Sequence, residues 1–196
     1  MILDVVRQLV KERVEPRAAE IDAKAEFPWD IKALFAENDL LGIPFPAEYG
    51  GLGGSFVTYV KVVEEVSKAC ASSALIIAVQ ELGALPILIG GSDEQKQRWI
   101  PDLASGAKIA AYALTEPGSG SDAAGSMRMK ARRDGDDYVL DGTKIWITHG
   151  SVADVVTVFA VTDSTKGPNG LHAGVGANRQ TVLLALNSTF YLSING

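Results

Sequence analysis

Two short stretches carry residue types that can do chemistry. The first, "YALTEPGSGSD" from Tyr112 to Asp122, follows an apolar run and sets the hydroxyls of Thr115, Ser119 and Ser121 near an internal carboxylate, Glu116, and two glycines, Gly118 and Gly120, with Asp122 closing the stretch. Glycine lets a backbone turn sharply and lets a ligand approach it closely. Unpaired N–H groups in such a turn form an anion-binding concavity, so a phosphate or pyrophosphate is a candidate guest; a tight polar β-loop with no guest is the other reading. The spacing is not GxGxxG, no helix is expected to open there, and no Gly-Lys-Ser/Thr occurs, which sets aside the dinucleotide fingerprint and the P-loop. The second stretch, "KIWITHG" from Lys144 to Gly150, separates Trp146 and Thr148 by two positions. On a strand both would lie on one face. An aromatic wall beside a hydroxyl suits a flat heteroaromatic ligand; a core Trp with a satisfied Thr is the alternative.

The elements that must position these stretches divide the chain by period. "ILDVVRQLVKERV" puts Ile2, Val5, Val6, Leu9 and Val10 on one helical stripe. Asp30 is a candidate cap for a short helix through "IKALFAEN". "LLGIPFPAEYGGLGGS" interrupts with prolines and glycines, and Ser55 caps the next helix, "FVTYVKVVEEVSKA". "SSALIIAVQELG" reads as a buried helix. "SDEQ" from Ser92 spells a capping box opening "EQKQRWIPDLASG", where Pro101 is expected to bend or split the helix and Gly106 to end it. After Gly106 the period becomes two: "KIAAYAL", a hairpin in "MRMKARRDGDDYVLDG" turning at Asp134-Gly135, "TKIWIT" and "DVVTVFAVTD" read as strands. The expected fold class is α+β, an all-helical domain over 1–108 followed by an antiparallel β domain over 109–196.

The bulk numbers agree with a folded protein and narrow its partners. The chain has 196 residues, 47% hydrophobic and 21% charged, enough for a core. Its formal net charge is −6 with a pI near 4.9, and no Lys/Arg block is present, which argues against nucleic acid or an anionic membrane surface as partner. Cys70 is the single cysteine, so no internal disulfide can form; it reads as a small core residue in a reduced setting. His149 and His172 with Cys70 fit no metal-ligand spacing, and no metal is expected. The opening "MILDVVRQLVKERVE" is charged and helical, without the pattern of a signal or transit peptide, so a cytoplasmic location is expected, with the mitochondrial matrix as the alternative. The longest apolar run, "ALIIAV", is too short to span a bilayer. "NST" from Asn187 spells a glycosylation acceptor and reads as coincidence.

Taken together, "AYALTEPGSGSD" followed by "DGTKIWITHG" resembles the acyl-CoA dehydrogenase family, and so does the helical half, through "EFPWDIKALFAENDLLGIPFPAEYGGLGG" and "EEVSKACASSALIIAVQELGALPILIGGSDEQKQRWIPDLASG". The family-like text runs from about Leu3 to Gly170; the tail from Leu171, "LHAGVGANRQTVLLALNSTFYLSING", does not align with it. The resemblance implies an N-terminal helical domain, a central β domain and a C-terminal helical bundle, with FAD between the last two. It implies that Tyr112 to Ser121 line the flavin, Leu114 among them. Thr115 would meet the pyrimidine end of the ring, and Gly120 and Ser121 the pyrophosphate. Ser121 would also touch the acyl-CoA substrate. Trp146 would shield one side of the ring, Ile147 would belong to the cofactor-binding set, Thr148 would bond near N5, and His149 would edge the site.

The implied reaction is α,β-dehydrogenation of an acyl-CoA thioester, with electrons passing to an electron-transfer flavoprotein. By the resemblance the carboxylate base belongs to the C-terminal bundle, so no catalytic residue is assigned within this sequence; Glu116 is expected to fix its loop through backbone hydrogen bonds. The bundle also carries most of the family's homo-oligomer contacts, so weak FAD binding, little turnover and doubtful oligomerisation are expected of these residues by themselves. Two alternatives stand beside this: a non-catalytic fragment or partner subunit that binds flavin or acyl-CoA weakly, and, on the same fold, an acyl-CoA oxidase or flavin monooxygenase.

Overall fold

A computed structural model describes residues 2–135, 137–177 and 189–193. The chain forms two compact units: Met1–Leu82 with Gly91–Lys108, and Gly83–Gly90 with Ile109–Gly196.

The first unit is helical. α1 (Ile2–Leu9) runs on through a π-helical stretch, Val10–Val14, and a 3-10 turn, Glu15–Arg17, into α2 (Ala18–Lys24). Val6, Val10, Val14 and Ile21 of this run are buried, as the stripe predicts, though Ile2 and Val5 are exposed. α3 (Trp29–Glu37) begins one residue before the expected Asp30 cap: Pro28 occupies the cap position and Asp30 lies in the first turn, where its charge complements the helix N-terminus. α4 (Phe56–Ala69) starts as expected at Ser55, whose Oγ accepts from Thr58 N at 3.2 Å. α5 (Ala71–Gly90) and α6 (Asp93–Ala104) follow. The Ser92–Gln95 capping box is complete, with both reciprocal bonds formed. Pro101 does not split α6, because an imino residue three-quarters along costs one ladder bond while Trp99, Ile100, Leu103 and Ala104 are all buried and hold the helix on course. Gly106 closes it at φ +74°. Cys70 is buried between α4 and α5, with Ser73 Oγ donating to its sulfur at 3.1 Å.

α5 corrects the membrane argument from "ALIIAV" alone. The whole helix has 20 residues and a mean hydropathy of 1.8 over its most apolar window, enough in length and composition to cross a bilayer; half of that window is buried inside the protein.

The second unit is a mixed sheet with β1 (Ala110–Ala113), β2 (Lys130–Asp134), β3 (Asp137–Asp141), β4 (Val155–Val161), β5 (Leu171–Ala177) and β6 (Thr189–Ser193). The strand order is β1-β4-β2-β3-β6, with β5 paired to β4. β2 and β3 form the expected hairpin, Asp134 opposite Asp137. The α+β order is as read, but the β domain is not purely antiparallel: β1 pairs parallel to β4, Ala110 opposite Val155, and β2 meets β4 parallel at Lys130 and Val161. A long excursion separates β1 from β4, so no tight turn forces them antiparallel. The segment from Leu171 is a full strand against β4, in register from Val155–Ala177 to Val161–Leu171. Its glycines hid this in the sequence, since glycine contributes no strand propensity. Asn187 and the rest of 178–188 lie outside the described residues.

Candidate functional site

The polar loop leaves β1 at Ala113 and is braced internally. Glu116 and Ser119 exchange backbone bonds, Glu116 N to Ser119 O at 2.9 Å and Ser119 N to Glu116 O at 3.1 Å. Ser119 is buried and spends its hydroxyl on the Asp122 carbonyl at 3.2 Å, so it faces the loop and not a ligand. Asp122 caps a one-turn helix, α7 (Ala123–Ser126), accepting from Gly125 N at 3.1 Å. Contrary to the expectation that no helix opens here, the capping aspartate and the small residues after it form one.

Gly118 and Gly120 are exposed, neither has a positive φ, and a Cβ built at either would meet nothing within 4 Å. The expectation that they permit a sharp turn is therefore not what the fold requires. What remains is their second property, an open backbone that something outside the chain can approach closely.

Beneath the loop lies a buried ion pair. Glu116 and Lys144 have side chains 5% and 2% exposed, with Lys144 Nζ to Glu116 Oε1 at 2.9 Å. Lys144 also donates to the Leu114 carbonyl at 2.8 Å. Glu116 further accepts from Arg128 N at 2.7 Å and Met129 N at 2.9 Å. Burial by itself would raise the Glu116 pKa, but the bonds from Lys144 and from the two backbone N–H groups, with the lysine's charge, hold it below the ordinary carboxylate value. Burial pushes the Lys144 ammonium down, against the pull of Glu116. The loop-fixing role expected of Glu116 is what the structure shows. Lys144 was missed as its partner; a lone cation in the otherwise apolar "KIWI" was the available signal.

Trp146 and Thr148 do not share a strand face. The expected strand "TKIWIT" is absent: Trp146 sits in a bend at φ +58° and Thr148 opens a turn. Lys144 and Ile145 are occupied by the loop instead, Ile145 N donating to Thr115 O at 2.9 Å, and this crossing replaces a ladder. The tryptophan is 87% exposed, so it is not a core Trp. Ile147 packs partly buried against Ala111, Ala113, Ala153 and Val156. Thr148 is half-buried, and His149, buried at φ +65°, donates from Nδ1 to the Ala110 carbonyl at 2.9 Å. Burial lowers the His149 pKa, favouring the neutral ring.

The predicted site residues thus meet at one end of the sheet unit. Tyr112, half-buried on β1 with its ring 4.9 Å from that of Phe159, leads into Leu114 and Thr115, and the Thr115–Ile145 bond sets the Trp146 turn beside them. Gly120 and Ser121 are exposed on the loop. Among the described residues no group of three or more His, Cys, Asp and Glu side chains could hold a metal.

Comparison with known proteins gives a consistent result. The acyl-CoA dehydrogenase N-terminal domain matches residues 1–107 and the acyl-CoA dehydrogenase middle domain residues 111–180, so the match extends ten residues past the Gly170 limit read from the sequence. A short-chain-specific acyl-CoA dehydrogenase of Clostridium acetobutylicum is 42% identical over 174 residues, 88% of this chain and 46% of the relative. A structure described as the electron transferring flavoprotein of Acidaminococcus fermentans superposes with a TM-score of 0.86 at 35% identity, covering 91% of this chain and 47% of that one. An acyl-CoA dehydrogenase from Bacillus anthracis solved with FAD gives 0.80 at 36% identity, covering 90% and 31%. The chain spans about half the length of the curated relatives it matches.

Proposed function

The chain belongs to the acyl-CoA dehydrogenase family, and from that premise we propose that it forms the flavin-holding part of an enzyme that dehydrogenates acyl-CoA thioesters between the α and β carbons. The observation that carries the reading is the pairing of an open-backed polar loop with an exposed, left-handed Trp146 beside it. A planar ring would find an aromatic surface at Trp146, and a pyrophosphate a glycine backbone at Gly120 that no side chain guards.

These residues fit FAD. Tyr112, Leu114, Thr115, Trp146, Ile147 and Thr148 would hold its ring, and Gly120 and Ser121 its pyrophosphate, with Ser121 also meeting acyl-CoA. When bound, FAD supplies the hydride acceptor. Electron-transfer flavoprotein is the proposed partner that then takes the electrons. No residue of this chain is assigned the proton abstraction. Glu116, the buried acid of the loop, has both oxygens occupied and is held ionised.

The test is a titration of the purified chain with FAD, followed by flavin absorbance and tryptophan fluorescence. Saturable binding, weakened in Trp146→Ala, is expected; no saturable change overturns the reading. With the flavin bound, little acyl-CoA-dependent reduction is expected of these residues by themselves; turnover that hands electrons to a dye would place the proton abstraction within them. Reduction followed by rapid oxygen consumption moves the reading to an oxidase.

A further inference from the structure

Building on the flavin-site reading, we propose that Glu116 and Lys144 are positioning residues: their buried ion pair locks the polar loop to the Trp146 turn, so that the two walls of the site keep one geometry. The pair ties together three separated pieces of chain. Lys144 reaches back to Leu114 O and Glu116 Oε1, where the loop begins. Glu116 gathers the N–H groups of Arg128 and Met129, where the excursion returns to the sheet. Lys144 itself stands two residues before Trp146.

Why an ion pair stands here has a physical answer. A buried pair adds little net stability over well-packed apolar residues, so stability alone does not account for it. An apolar pair could not satisfy the buried Met129 amide or the part-buried Leu114 carbonyl and Arg128 amide, which take their bonds from this pair. The pair also supports strain. Trp146 holds a left-handed backbone that persists only where its surroundings over-determine it. Lys144 and the Ile145–Thr115 bond fix the near side of the bend, and His149, bonded to Ala110 O, fixes the far side.

Either single neutralisation strands a buried partner, so the informative variant is the double, E116Q/K144M, which removes both charges. Two readouts are taken on the ligand-free and the FAD-titrated chain. Amide exchange should rise in step at 114–122 and 143–150 while β4, Val155–Val161, stays protected, and the FAD Kd should rise at least tenfold. A folded double variant with wild-type exchange in both segments overturns the proposal. Should the double variant not fold, K144R replaces it; the charge survives but the donors are re-aimed, so retained stability with the same coupled exchange supports positioning, and unchanged exchange overturns it. Should wild type bind no FAD, the flavin-site reading falls by itself and the exchange result still decides whether the pair couples the two segments.

Discussion

Thr157 of β4 donates from Oγ1 to the carbonyl oxygen of Gly83 at 2.7 Å, and both residues are buried. The last turns of α5 thereby lie backbone-close on the sheet. A Cβ at Gly83 would come 2.7 Å from Ala110 Cβ and 3.0 Å from Ala111 O, on the strand that launches the polar loop. Gly83→Ala should therefore destabilise by about 1–3 kcal/mol through overpacking. Thr157→Val, which keeps the shape and loses the bond, should cost about 0.5–1.5 kcal/mol. Urea unfolding of the two variants separates the effects, and a neutral Gly83→Ala would mean that α5 does not seat on β1.

The capping box of α6 gives a second expectation. Ser92 Oγ accepts from Gln95 N at 3.2 Å and Ser92 N donates to Gln95 Oε1 at 2.9 Å. Ser92→Ala removes one bond of the pair and should cost about 0.5–2 kcal/mol. Thermal unfolding checks this, with Gln95→Ala expected to cost less because the cap hydroxyl survives.

These two features differ in how far the sequence reveals them. Ser92 and Gln95 are three residues apart and their bond is local, so the spelling "SDEQ" suffices. Glu116 was legible as an acceptor of backbone N–H groups from its residue type alone, but the amides it takes, Arg128 and Met129, lie 12 and 13 positions on and were not. Its partner Lys144 lies 28 positions on, and only the fold brings it there. Trp146 misled through its neighbours: "TKIWIT" has strand composition, but Lys144 and Ile145 spend their bonding groups on Leu114, Glu116 and Thr115. Tertiary pairing overrode propensity there. The parallel register of β1 and β4 was unreadable for a related reason, as nothing local fixes how distant strands meet.

The ion pair predicts an acid limb in stability. The Glu116 pKa is lowered in the folded state from its ordinary value of 4.5. A depressed carboxylate contributes stability that is fully present above the unfolded value and is lost as pH falls through the folded one. The second unit should thus weaken as pH drops below about 4.5, where the unfolded chain begins to bind the proton first. In E116Q/K144M that contribution is gone. Denaturant midpoints compared between neutral and acid pH should fall less steeply in the double variant; parallel falls would show that other carboxylates set the acid limb.

Trp146 sets stability and binding against each other. Its side chain is 87% exposed, so truncation removes little packing, and Trp146→Ala should leave stability within about 0.5 kcal/mol. Trp146→Gly adds a second effect. At φ +58° a glycine relieves left-handed strain of about 1 kcal/mol or more, while its looser unfolded chain takes back about 0.5–1 kcal/mol. The glycine variant should therefore be as stable as the alanine variant or more so. Both should bind FAD more weakly than wild type, because the aromatic surface is lost in each. Unfolding midpoints and FAD titrations of the two variants give four numbers. Loss of affinity with retained stability identifies Trp146 as a ligand-facing residue held in place at a conformational cost. Loss of both together would instead make the tryptophan part of the folding core, against its exposure.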